Sequence, residues 1–136
     1  MLKNSAKHAS QKSLARVLLI EDEQALRELY RDWLLLDGYE VIEATDGVAG
    51  VEAIFHQHPA LVVLDIMLPK KDGFEVLKEI RRNPKTRNLP VLILTSLDQG
   101  FEKQQGSKLG ANLYIVKTDL SPDRLQSAVR DLLTRT

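Results

Sequence analysis

Asp65 follows the apolar run Val62-Val63-Leu64, and Ile66-Met67-Leu68-Pro69-Lys70-Lys71-Asp72-Gly73 continues as a loop. A carboxylate at a strand end lies on the edge where open parallel α/β sheets place their sites, which makes Asp65 the first candidate for chemistry. Glu21-Asp22 follow Val17-Leu18-Leu19-Ile20 in the same way, Thr95 follows Val91-Leu92-Ile93-Leu94, and Lys117 follows Leu113-Tyr114-Ile115-Val116. Three carboxylates in one cleft repel one another and need a cation. Oxygen ligands favour a hard ion such as Mg²⁺, with Mn²⁺ as the alternative. Lys117 has the wrong charge to be a ligand; it can pair with an acidic ligand or with a phosphoryl group, to which Thr95 can donate its hydroxyl. With the metal offsetting negative charge, an Asp65 oxygen can attack an incoming phosphorus and hold the group as an acyl phosphate. Taken singly, each residue has a plainer reading, since strand ends often carry polar side chains. Their shared position at the ends of four strands favours one site.

Those residues meet only if strands and helices alternate. Val17 to Ile20 is short, continuously apolar and followed by acids, as expected for a strand covered on both faces. From Glu23 to Leu36 the spacing of Leu26, Leu29, Trp33 and Leu36 follows one helical face, expected to be buried, with Asp37-Gly38 as the stop. Leu34 and Leu35 widen that stripe. A second strand is expected over Tyr39 to Ala44, and Asp46 can cap a helix carrying Val48, Val51, Ala53, Ile54 and Phe55. His58-Pro59 ends that helix, and Ala60 to Leu64 forms the third strand. Phe74, Leu77 and Ile80 mark a third helix that closes before Pro84, and Val91 to Leu94 is the fourth strand. A fourth helix, approximately Gln99 to Leu109, has few apolar positions, and Gly100 and Gly106 lower its propensity. Leu113 to Val116 is the fifth strand. Ser121-Pro122 starts a last helix whose Leu125, Ala128, Val129, Leu132 and Leu133 face the core.

Right-handed crossovers turn these alternations into a doubly wound, five-stranded parallel sheet with five helices and strand order 2-1-3-4-5, the flavodoxin-like α/β arrangement. That order gathers the ends of strands one, three, four and five around one cleft. A length of 136 residues suits one domain, and 43% hydrophobic content supplies a core without disulfides or a structural metal. Cysteine is absent, and neither a membrane span nor a signal-peptide core is visible, so the chain reads as cytoplasmic. Net charge is zero, yet Lys3, Lys7, Lys12 and Arg16 all precede the first acid, Glu21. Residues 1 to 14 are therefore expected to be a flexible basic tail, and residues 15 to 134 the single domain.

Four segments, Val17 to Glu23, Val62 to Pro69 with Asp72-Gly73, Pro90 to Ser96, and Gly110 to Lys117, resemble the receiver domain of bacterial two-component response regulators in type, order and spacing. The resemblance implies that Asp65 accepts a phosphoryl group from a histidine kinase or a histidine phosphotransfer protein. It implies that Glu21 and Asp22 hold Mg²⁺, Asp22 the more directly, with Asp65 and the backbone carbonyl of Met67 completing the protein's share. Thr95 would turn toward the phosphoryl group, Lys117 would pair with it, and Tyr114 would move inward as the signal leaves. Helix four, strand five and helix five would change binding partners, a phosphorylation-dependent homodimer among them, so that the output is a population shift between two packings. Such a domain catalyses its own phosphorylation and slow dephosphorylation and turns over no external substrate.

Proline commonly follows the lysine in this family, often after a cis peptide bond, whereas this chain has Lys117-Thr118-Asp119. A cis bond before Thr118 would cost about 2.5–4 kcal/mol. Either the site enforces that strain or the loop is trans; Lys117 is expected in the cleft in both cases, with Asp119 or Ser121 capping the final helix. Met67 and Leu97 lie two residues beyond Asp65 and Thr95, and neither side chain can orient a hydrolytic water. A persistent phosphoaspartate follows from that.

His8 falls in the tail, and His56 and His58 are two apart near a helix end, so the histidines make no joint metal site. Lys78, Arg81, Arg82, Lys85 and Arg87 form a basic stretch interrupted by Glu79 and Asn83, which suits partner docking or solvent better than nucleic acid. The chain lacks a glycine-rich phosphate loop ending in Lys-Ser or Lys-Thr, which disfavours nucleotide hydrolysis. A haloacid-dehalogenase-like phosphatase would need a second aspartate where Met67 stands. An unphosphorylated interaction domain of the same fold is the alternative function. Output is expected from another protein, or from a further segment if this chain is a fragment.

Overall fold

In the computed structural model, residues 15–96 and 100–135 are described, with backbone alone over 100–103. The expected N-terminal tail and Leu97 lie outside the described residues. Five strands, β1 Arg16–Ile20, β2 Glu40–Ala44, β3 Leu61–Asp65, β4 Val91–Thr95 and β5 Leu113–Val116, form one parallel sheet in the order β2-β1-β3-β4-β5. Central β3 and β4 are buried along their whole length, as continuous apolar runs require when helices cover both faces. The helices are α1 Gln24–Leu36, α2 Gly47–Gln57, α3 Gly73–Arg82, α4 Gly100–Lys108 and α5 Pro122–Thr134.

Alternation along each strand divides the core in two. Val17, Leu19, Val63, Leu92 and Leu94 point to the side covered by α1 and α5, where Tyr30, Leu34, Leu125 and Val129 meet them. Leu18, Ile20, Val62, Leu64 and Ile93 point to the other side, against Ile54 of α2 and Val76, Leu77 and Ile80 of α3. The helix starts follow local chemistry. Asp46 accepts from the Ala49 N–H at 2.8 Å, and Ser121 accepts from Arg124 N–H at 3.1 Å with Pro122 in the first turn. Asp72 and Glu75 exchange bonds as a capping box at the start of α3.

The buried stripe of α1 differs from the expected one. Tyr30 and Leu34 are its buried residues, while Leu29 is 43% exposed and Leu36 81% exposed. Leu34 is buried as expected; Leu35 is exposed. At about 100° per residue, Leu26, Tyr30 and Leu34 form a continuous row, and packing against both the sheet and α5 rotates the helix toward it. The Gln126 amide donates to the Trp33 carbonyl at 2.8 Å, which joins α5 to α1 at that rotation.

Arg81 is the exception within the basic stretch. Its guanidinium, half-buried at the end of α3, donates to the carbonyls of Leu89 at 2.6 Å and Gly110 at 2.7 Å and to the Asn112 side chain at 2.8 Å. Asn112 Oδ1 also accepts from the Val91 N–H at 2.8 Å. One side chain thus ties α3 to the starts of β4 and β5, a structural task in place of the expected docking or solvent role. Among the described residues, no helix is long and apolar enough to cross a membrane.

Candidate functional site

The strand order brings the predicted residues to one edge. Ile20 pairs with Leu64, Asp65 with Leu94, and Thr95 with Val116, so the residues that end β1, β3, β4 and β5 lie side by side. Glu21, Asp65 and Thr95 are buried at 2%, 5% and 0% exposure, an unusual density of polar groups at the rim of an apolar core. Asp22 is exposed. Carboxylate oxygens of Glu21, Asp22 and Asp65 all lie within 4.8 Å of one another. Hard oxygen donors at that spacing fit a divalent cation of the Mg²⁺ or Mn²⁺ kind.

Lys117 reaches into the same cleft. Its Nζ donates to Glu21 Oε1 at 2.7 Å and to Asp65 Oδ2 at 3.3 Å. No peptide bond among the described residues is cis, so Thr118 follows Lys117 in trans. Lys117–Asp119 instead form a single 3₁₀ turn, closed by the Leu120 N–H on the Lys117 carbonyl at 3.1 Å, and Leu120 packs against the α1–α5 core. The cap of α5 falls to Ser121, and Asp119 is exposed.

The loop after Asp65 is wound tightly. Gly73 N–H donates to the Ile66 carbonyl at 2.8 Å, and a Cβ on Gly73 would overlap the Asp65 carbonyl and Ile66 Cα. The Met67 N–H donates to the Asp65 carboxylate, while Met67 as a residue is 58% exposed. The loop also rests on α2, where a Cβ on Gly47 would overlap the Lys71 carbonyl and where Lys70 pairs with Asp46 at 3.6 Å.

Burial pushes the Asp65 carboxyl up to about 6; Lys117 opposes that rise, and the neighbouring Glu21 charge adds to it. Burial works against the Lys117 ammonium, yet its hydrogen bond to Glu21 and the Asp65 charge raise it above the ordinary lysine value. Tyr30 shares this field. Burial raises its phenol, with Lys117 opposing and Glu21 and Asp65 adding. Sequence reasoning missed Tyr30 because it chose the stripe through Leu29; the row Leu26-Tyr30-Leu34 was the signal. Tyr114, on β5, is partly buried and packs with the α2–α3 side of the core. Gly106 of α4 lies over it, where a Cβ would approach Tyr114 Cδ2 and Ile93 Cδ1 at 3.2 Å.

Arg27 was also missed. It lies one turn into α1 and donates to the Glu21 carbonyl at 3.1 Å and, at the longer distance of 3.4 Å, to the Asp22 carbonyl. The Glu21 N–H donates to Ala44 at 3.1 Å, and Glu21 Oε2 accepts from the Glu23 N–H at 3.1 Å. Every polar group of Glu21 therefore has a partner, as a buried carboxylate at a sheet edge demands.

Comparison with known proteins agrees with this geometry. Residues 17–130 match the model of the response regulator receiver domain. The DNA-binding dual master transcriptional regulator RpaA of Synechocystis is 40% identical over 123 residues, 90% of this chain and 51% of that protein. The chain spans about half the length of the curated relatives it matches. Among solved structures, the receiver domain of the Francisella response regulator 1452 superposes with a TM-score of 0.82 at 30% identity, covering 89% of this chain and 98% of that one. The Mn²⁺-bound response regulator Rcp1 has a TM-score of 0.78 at 29% identity, with 90% and 96% covered. An acidic cluster and a reaching lysine on a 2-1-3-4-5 sheet, together with a family match over most of its length, mean that the chain belongs to the response regulator receiver domains, phosphorylation-controlled signalling switches.

Proposed function

We propose that Asp65 accepts a phosphoryl group from the phosphohistidine of a histidine kinase or phosphotransfer protein. An Asp65 oxygen forms the new bond to phosphorus, the phosphorus–nitrogen bond breaks, and the imidazole leaves with its electron pair and takes up a proton. Glu21, Asp22 and Asp65, with the Met67 carbonyl, would hold Mg²⁺, and the Mn²⁺-bound form of the response regulator Rcp1 supports a divalent ion on a domain of this fold. The bound ion supplies charge neutralisation to the transferring oxygens. Lys117 exchanges its Asp65 contact for a phosphoryl oxygen, and Thr95 donates its hydroxyl to another. Tyr114 follows Thr95, and the surface of α4, β5 and α5 changes partners, among them a second copy of the chain.

The observation that carries this reading is Lys117 Nζ held between Glu21 and Asp65 inside the acidic cluster. One cation already bridges two carboxylates, and the third opens to solvent as a metal site does. The chemistry of phosphohistidine donors fits a cytoplasmic setting for this domain. DNA binding, named for RpaA, lies outside the proposed role of residues 15–134. The test is incubation with Mg²⁺ and acetyl phosphate, read by intact mass for wild type and Asp65→Asn. An acid-labile gain of one phosphoryl group that requires Asp65 is expected. No transfer to folded, Mg²⁺-binding protein would favour the alternative, an unphosphorylated interaction domain of the same fold.

A further inference from the structure

The turn that carries the acidic pair has an external support. Arg27 donates through Nη1 to the Glu21 carbonyl at 3.1 Å and reaches the Asp22 carbonyl at 3.4 Å. Its Nε donates to Glu43 Oε1 at 3.3 Å, so a carboxylate on β2 holds the guanidinium in orientation. The Arg27 side chain is only 15% exposed, which suits a built contact and not a surface pair. On the opposite side of the same turn, Ala44, the residue after Glu43, accepts from the Glu21 N–H at 3.1 Å. β2 thus grips Glu21 twice, once through its backbone and once through the Glu43–Arg27 pair.

We infer that Arg27, oriented by Glu43, is a positioning residue that fixes the Glu21–Asp22 turn so that its carboxylates converge with Asp65 on a divalent cation. This rests on the metal assignment proposed above. Its physical content lies in a sign. A guanidinium beside a dication site is a like charge, so if Arg27 acted only through charge, its removal would tighten Mg²⁺ binding. If it positions the ligands, removal weakens binding, because groups behind metal ligands are worth about 10- to 100-fold in affinity. Arg31 provides an internal comparison. It approaches Glu43 at 3.8 Å from the next turn of α1, and its other ion pair is with its neighbour Asp32.

The test is Mg²⁺ titration calorimetry on wild type, Arg27→Gln, Arg27→Lys and Arg31→Gln, each checked by circular dichroism to be folded at the working temperature. Arg27→Gln is expected to bind Mg²⁺ about 10-fold more weakly. Arg27→Lys keeps the charge but loses the planar fork, and it should also bind more weakly than wild type. Arg31→Gln should stay within about twofold of wild type, because its ion pairs are with Asp32 and Glu43 and not with the Glu21–Asp22 turn. Equal or tighter binding by Arg27→Gln overturns the inference, as does a lowered unfolding temperature with an unchanged Mg²⁺ affinity. Absence of Mg²⁺ binding by wild type would overturn it together with the metal assignment, whereas the other outcomes leave that assignment standing.

Discussion

Lys117 and Glu21, 96 positions apart in the chain, meet at 2.7 Å, closer than the 3.3 Å that separates Lys117 from Asp65. The lysine therefore rests primarily on Glu21, the proposed metal-site acid, and leans on Asp65, the proposed phosphoacceptor. Removing it leaves two buried carboxylates without their counter-charge. Lys117→Met is expected to lower the stability of metal-free protein by about 3 kcal/mol, measured by urea unfolding. Saturating Mg²⁺ should recover much of the loss, since the ion replaces the missing positive charge. Equal unfolding midpoints for the two metal-free proteins would refute this account.

Asp65 gives a pH signature. Its folded-state value of about 6 exceeds the ordinary 3.8, so the native protein binds this proton more tightly than the unfolded chain does. The stability contributed by protonated Asp65 is complete below pH 3.8 and is lost as pH rises through about 6. Metal-free Asp65→Asn should consequently be more stable than wild type above pH 6, with the gap closing toward pH 4. Thermal unfolding across that range in a chelating buffer is the measurement. A gap that widened on acidification would contradict the sign.

In the proposed reaction the nucleophile is the ionised Asp65 carboxylate, so wild-type phosphorylation by acetyl phosphate should slow on acidification. In the absence of bound cation the relevant midpoint is about 6. Mg²⁺ favours the ionised form and should move the midpoint of the rate profile below that value. A rate flat from pH 5 to 8 at subsaturating Mg²⁺ would count against Asp65 as the titrating nucleophile.

Glycine substitutions should separate backbone from side-chain crowding. A Cβ on Gly73 meets the backbone of Asp65 and Ile66, whereas a Cβ on Gly50 meets the flexible end of Ile20. Gly73→Ala is expected to cost about 2 kcal/mol or more even though alanine favours helix by about 1 kcal/mol. Gly50→Ala should cost less. Denaturant unfolding of the pair provides the comparison, and a Gly73→Ala protein as stable as wild type would remove the steric argument.

Met67 is 58% exposed beside Asp65, and its side chain presents no strong hydrogen-bonding group to water. Met67→Glu should shorten the lifetime of phospho-Asp65 severalfold by offering a carboxylate that can orient the attacking water. Phosphate release after removal of the donor reads this directly. Unchanged or slower decay would mean that water reaches phosphorus by another approach.

Periodicity carried most of the fold, because five short apolar runs and two strong helix caps leave few alternatives. Asp46 and Ser121 each accept from a backbone N–H only three residues away, so their roles were legible in the sequence. The same holds for Asp65, Glu21, Thr95 and Lys117, which a single topology brings to one edge. Legibility ended where a long side chain chooses among distant carbonyls. Arg27 drew no reading from the sequence and Arg81 read as part of a basic stretch for docking or solvent, yet both lie against backbone supplied by other elements. Gly106 read as a weakness of its helix, although its lack of a side chain lets α4 lie close to Tyr114 and Ile93.

Arg81 and Asn112 anchor β4 and β5 at the ends remote from Asp65, while Thr95 and Lys117 occupy the opposite ends of the same two strands. The pair of strands is a cantilever, clamped at its base and loaded at its tip. A displacement imposed by phosphorylation cannot be absorbed by sliding both strands together. It would emerge as bending of the strands about that base, with Tyr114 lying between the clamp at Asn112 and the loaded end at Lys117, and the stiffness of the base would set how much of the input survives as motion along β5.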